Sequence, residues 1–139
     1  MKLRNTHPLF TDEKIREIVR FTCPQGITNF LLRVTATNWR WWRGLAWPQK
    51  REWRITIRIS KDTDAVMSAV RAHKPSGAYL PFEVYSYEEL MVHLVAHELR
   101  HLWQAKVKKG HRVWGARGQY SERDADAYAI HKVREWRRR

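Results

Sequence analysis

The sequence predicts an α+β domain: a short helix and strands first, two long helices last. Three observations carry this. Trp53, Ile55, Ile57 and Ile59 alternate strictly with Arg54, Thr56 and Arg58, the period of a strand with one covered face. Ser86 and Glu89 write the S-x-x-E start of a helix ahead of Leu90, Met91, Leu94, Val95 and Leu102. From Glu122, the residues Asp126, Ala129, Val133 and Trp136 advance by fours and threes, so they share one helix face. With 139 residues and 43% apolar content, the chain suits a single domain, 1–139, with its own core.

Each element has its own signal. Thr11 is placed to cap a helix whose first turn holds Asp12 and Glu13, where acids suit the helix dipole. Ile15, Ile18 and Val19 give that helix an apolar stripe, and Cys23-Pro24 with Gly26 ends it. Phe30, Leu32, Val34 and Ala36 then fall on one face of a strand, followed by the cleaner strand around Ile57. Alternation this strict predicts an antiparallel sheet with one open face. Helix and sheet together occupy about residues 11–60. Lys61-Asp62 reads as a turn, Lys74–Gly77 as a loop, and Ala78–Val84 as room for a short extended piece. The block that holds the loop and the extended piece, Thr63–Tyr85, has no clear overall pattern. The two last helices cover about residues 87–136. The first of them runs to about Lys108 and closes at Gly110; the second starts near Ser121 and leads into a basic C-terminal tail.

Composition excludes several classes. Cys23 is the one cysteine, so an internal disulfide and a multi-cysteine zinc finger are both ruled out. No apolar run approaches the roughly 18 residues of a membrane span, and Met1–Phe10 carries no apolar leader core. The expectation is a cytoplasmic protein with no membrane partner. The charge is unusual: 27 Lys and Arg against 14 Asp and Glu give +13. Such a field attracts polyanions and makes non-specific nucleic-acid contact a candidate.

One motif carries chemistry. His97-Glu98-Leu99-Arg100-His101 reads H-E-x-x-H. Residues i and i+4 project from one helix face a turn apart, close enough for two imidazoles to hold one ion. Glu98 stands beside them, placed for a water rather than for the ion. Glu122 follows 21 residues after His101, with Asp126 one helical turn later. A returning helix brings both carboxylates to the histidines, Glu122 as a third ligand and Asp126 as hydrogen-bond partner of a ligand imidazole. Chance placement of the whole set is on the order of one in a thousand. Arg100 must point away from the pair, toward solvent or an acid.

His97–His101 followed by Glu122-Arg123-Asp124-Ala125-Asp126 resembles the zincin metallopeptidases in their gluzincin arrangement, which pairs HExxH with a downstream E-x-x-A-D. The resemblance covers roughly Tyr87–Trp136, and the earlier residues match only in element order. It implies a zincin-like fold: a small twisted sheet ahead of the HExxH helix, with an edge strand that receives extended peptide. It implies Zn²⁺ on His97, His101 and Glu122, Glu98 as general base, Asp126 as orienting acid, and hydrolysis of a peptide or protein substrate. His111, Tyr120 and Arg117 lie between the helices as candidates for stabilising the transition state. The metzincin pattern is excluded, because Val107 stands where it needs a histidine. The SprT-like, DNA-associated peptidases are an alternative in which His111 in Gly110–Trp114 replaces Glu122 as ligand. A basic nucleic-acid-binding domain with structural zinc is the non-enzymatic alternative.

Two basic features have both a bland and a functional reading. Trp39, Trp41, Trp42, Trp47 and Trp53 interleave with Arg40, Arg43, Arg51 and Arg54, either as an aromatic mini-core, as a surface that stacks bases and neutralises phosphates, or as the lining of a peptide groove. Arg134, Arg137, Arg138 and Arg139 form either a nucleic-acid arm or a solvated helix end. Cys23 is expected to be a buried, inert thiol, and His7, His73 and His131 surface residues.

Overall fold

The computed structural model describes residues 1–38, 41–48, 52–72, 80, 83–107 and 119–139, with the side chains of 119 and 120 left aside. The chain is a mixed α+β domain. In chain order it forms β1 (Lys2–Asn5), α1 (Asp12–Thr22), β2 (Phe30–Thr37), β3 (Trp42–Trp47), β4 (Trp53–Ser60), α2 (Thr63–Ala72), α3 (Tyr87–Val107) and α4 (Gln119–Arg137). The four strands make one sheet in the order β1-β2-β4-β3. No described helix is long and apolar enough to cross a membrane.

The sheet is mixed, not wholly antiparallel as the alternation suggests. β1 runs parallel to β2, β2 runs parallel to β4, and only β3 and β4 are antiparallel. After β2 the chain builds β3 at the far edge, then returns between them as β4. Strict alternation reports a covered face; it carries no information about the direction of the neighbouring strand. The covered face is the expected one. Ile55, Ile57 and Ile59 are fully buried, and their cross-strand partners are Leu32, Val34 and Ala36 on β2 and Ala46, Gly44 and Trp42 on β3.

Helix α3 lies against that face, touching β3 and β4, while α1, α2 and α4 each contact it. Leu90, Met91, Val92, Val95, Leu99 and Leu102 bury it on nearly every side, the pattern of a central helix. Each such side chain contributes about 1.5–3 kcal/mol of burial. The helix that carries H-E-x-x-H is therefore packed from several sides.

The caps follow the sequence with one departure. Thr11 accepts from the Lys14 N–H at 3.1 Å, Cys23 terminates α1, and Gly26 takes φ +90° in the turn beyond. Ser86 accepts from the Glu89 N–H at 3.1 Å. Glu89 does not complete the reciprocal box: its carboxylate accepts from the Tyr85 N–H at 2.9 Å and pairs with Arg137 at 2.6 Å. The same oxygen takes both the Tyr85 N–H and a guanidinium hydrogen bond from α4.

Two expectations about single residues are corrected. His7 is buried, not a surface residue. Its Nδ1 accepts from the Leu9 N–H, so Nε2 carries the proton and donates to the Ile59 carbonyl at 3.0 Å, beside the Tyr87 hydroxyl. Burial holds its pKa below the usual value. Cys23 is half-buried, and its thiol donates to the Ile27 carbonyl with its pKa raised by burial. His131 is exposed as expected, 3.0 Å from Glu135, and His73 lies outside the described residues. The loop at Lys74–Gly77, the closing Gly110 and most of the extended piece at Ala78–Val84 also lie outside them.

The C-terminal arginines are largely tied down. Arg134 pairs with Glu83, Arg137 with Glu89, and Arg139 with Glu17. The Arg139 guanidinium also lies over the Trp136 ring at 3.3 Å. The tail thus locks α4 to α1 and to the segment before α3.

Candidate metal centre

Helix α3 places His97 and His101 one turn apart, and α4 returns beside it with Glu122 and Asp126. Three side chains meet at one point. The Nε2 atoms of His97 and His101 are 3.1 Å apart. Glu122 spans them, one oxygen 3.1 Å from His97 Nε2 and the other 3.0 Å from His101 Nε2. Glu98 lies just outside this triangle, its Oε1 3.8 Å from His97 Nε2.

The other nitrogen of each imidazole is held by a separate partner. Asp126 accepts from His97 Nδ1 at 2.9 Å. Gln104 accepts from His101 Nδ1 at 2.9 Å, while its amide donates to the Ser121 carbonyl at 2.8 Å and to Asp124 at 2.9 Å. Asp124 in turn takes two hydrogen bonds from Arg100, at 2.7 and 3.1 Å. Arg100 is thus paired with an acid, as one of its two expected states, and its guanidinium packs 3.7 Å above the Trp103 ring. This arrangement directs both Nε2 atoms into the same space and fixes which nitrogen is free to bind there.

Electrostatics concentrate at the triangle. Burial opposes a charged His97, but its hydrogen bonds to Asp126 and Glu122, with Glu98 nearby, outweigh that and raise its pKa to about 10. For His101 burial likewise works downward, and Glu122 turns the net shift upward. The two imidazoles hold the Glu122 carboxyl far below the usual carboxylate range. Burial pushes Glu98 up, against the pull of His97 and His101. Both imidazoles thus hold protons more tightly than a free histidine, facing the one Glu122 carboxylate. A cation that binds here displaces those protons.

The donor set fits zinc. Two nitrogens and a carboxylate oxygen suit it, and two ligands of one tetrahedral zinc at about 2.0–2.1 Å stand roughly 3.3 Å apart. The Nε2 separation of 3.1 Å is close to that value. His97, His101 and Glu122 form one grouping able to hold a metal ion, and His93, His97 and Asp126 form another that shares His97. Because Asp126 sits on His97 Nδ1 at 2.9 Å, it reads as the support of that ring.

Sequence reasoning missed three residues here. His93 stands one turn before His97, rings 6.3 Å apart, buried, with its pKa lowered by burial to about 3. Its spacing of four was the available signal. Gln104, fully buried, supports His101 from three residues onward. Gly44 on β3 faces Glu98 so closely that a Cβ there would stand 2.7 Å from Oε1 and 2.9 Å from Cγ. His111, Arg117 and the Tyr120 side chain lie outside the described residues.

Comparison with known protein families, with curated proteins and with solved structures finds no match to this chain.

Proposed function

We propose that the chain is a zinc-dependent peptidase of the gluzincin kind, with a zincin-like fold. The observation that carries this reading is the triangle of His97, His101 and Glu122, with contacts of 3.0–3.1 Å and a buried carboxylate, Glu98, beside it. In it, His97, His101 and Glu122 hold the ion, Asp126 and Gln104 orient the imidazoles, and Glu98 handles the proton. Zinc, when bound, supplies Lewis acidity that acidifies water and polarises a carbonyl. Glu98 Oε1 accepts the proton of the attacking water and delivers it to the leaving amine. Edge strand β3 supports a substrate path: among the described residues it pairs only with β4. A peptide extended along its open edge runs past Gly44, and so past Glu98.

Glu122 favours this reading over the SprT-like one, because its carboxylate already spans both imidazoles. The test is hydrolysis of a fluorescently labelled, unstructured protein such as casein by zinc-loaded chain. The expected result is turnover that a strong chelator abolishes and added zinc restores. Turnover that survives complete removal of metal, or none with one zinc bound per chain, contradicts the proposal.

A further inference from the structure

The face of the sheet turned away from the helices has an unusual composition. Among the described residues, no strand contains an acidic residue. The strands hold six cations: Lys2, Arg4, Arg33, Arg43, Arg54 and Arg58. Register places all six on this outer face, since Ile55, Ile57 and Ile59 define the inner one and side chains alternate. Arg4 stands directly opposite Arg33, and Arg43 directly opposite Arg58. Like charges in such positions destabilise a sheet. None of the five arginines is paired with a carboxylate among the described residues, and Lys2 reaches only Glu52, at 3.6 Å. Buried residues of the described helices join Ile55, Ile57 and Ile59 in one core on the opposite face.

Aromatic rings stand among these charges. Trp47 is 37% exposed and shares a cross-strand row with Arg54. Trp41, 46% exposed, stacks on Trp42 at 4.8 Å and lines a groove of about 590 Å³ with Thr37, Arg43 and Arg58. The Trp and Arg residues that alternate in the sequence thus divide. Trp42 joins the core, while Trp47, Arg43 and Arg54 face outward.

We propose that this outer face binds single-stranded nucleic acid, with phosphates on the opposed arginine pairs and bases stacked on Trp47 and Trp41. A bound phosphodiester chain relieves the repulsion within each pair. Five of the six cations are arginine, whose planar fork matches phosphate oxygens and stacks on rings. An anionic lipid surface would not require that preference. Exposed indoles recognise unpaired bases, which a duplex keeps inside its stack. A four-stranded face also offers no helix or ribbon for a duplex groove. The surface is separate from the histidine triangle, and the inference stands without the peptidase reading.

The test is anisotropy of a labelled twenty-nucleotide oligothymidylate across a salt series. One variant, Arg4→Glu with Arg43→Glu, puts a carboxylate opposite Arg33 and opposite Arg58. Opposite charges then face each other, so its melting temperature is expected to be no lower than that of the parent. A control, Arg16→Glu with Arg71→Glu, makes the same change in net charge on exposed helix positions. The expected result is at least about a tenfold loss of affinity in the first variant. Its salt slope falls by about 1.4, or 0.7 for each of two lost phosphate contacts. The control stays within about threefold of the parent. Equal weakening in both variants, no binding at low salt, or equal or tighter binding to a twenty-base-pair duplex or to phosphatidylserine vesicles overturns the proposal.

Discussion

Glu98→Gln is expected to keep its metal and lose its hydrolysis. The substitution preserves shape and removes the atom that accepts a proton. Glu98 is 5% exposed and lies 3.8 Å from His97 Nε2, outside the contacts of 3.0–3.1 Å that close the triangle. In the proposed reading the ion is held without it, while the proton transfer depends on it. Loss of a positioned general base lowers turnover by about 10²–10⁴-fold. Parallel measurement of metal per chain and of turnover reads both quantities. Full turnover in the variant contradicts the role of Glu98; loss of metal shows that its carboxylate is a ligand.

Gly44→Ala is expected to damage the same step from another element. Gly44 lies on the inner face of β3, against α3. A methyl there meets Glu98 Oε1 at 2.7 Å and Cγ at 2.9 Å. The helix cannot retreat, because Leu99 and Met91 are fully buried within the packed core. The carboxylate must rotate away instead. A displacement near 1 Å at a reacting group costs about 10²-fold in rate, and the overlap costs about 1–3 kcal/mol of stability. Metal content stays at the parent level. In a Glu98→Gln background the same alanine adds little further loss, because both changes act through one group. Unimpaired turnover in Gly44→Ala, or losses that multiply in the double variant, contradicts this coupling.

Much of this site was legible in the sequence, because helical spacing converts directly into geometry. His97 and His101 at i and i+4, and Glu122 and Asp126 at i and i+4, each had to share a face, and α3 and α4 bring the two pairs together. The supporting residues were less legible. Gln104 lies three positions beyond His101, as an ordinary surface glutamine does, and only packing against α4 turns it inward. Gly44 has no local signature, since its contact with Glu98 crosses from sheet to helix.

The fold divides in the same way. α1, β4, α3 and α4 follow from caps and periodicity. β1 is four residues long, too short for a period, and forms through parallel pairing with β2. α2 had a usable signal in Asp62, whose side chain caps Ala65 N–H at 3.1 Å, with Val66, Met67 and Val70 on its buried side. Reading Lys61-Asp62 as a turn hid that cap. The burial of His7 depends on the Ile59 carbonyl, 52 residues away, and no local pattern reports such a partner.

Zinc content per chain, parent beside Glu122→Ala, decides whether His97, His101 and Glu122 hold a metal. Both are loaded with zinc, dialysed against a weak chelator and assayed for total metal. The predicted result is about one zinc per parent chain and far less in the variant, with folding intact in both. No zinc in the reloaded parent contradicts the metal centre itself. Equal zinc in both removes Glu122 from the ligand set and moves the third ligand elsewhere.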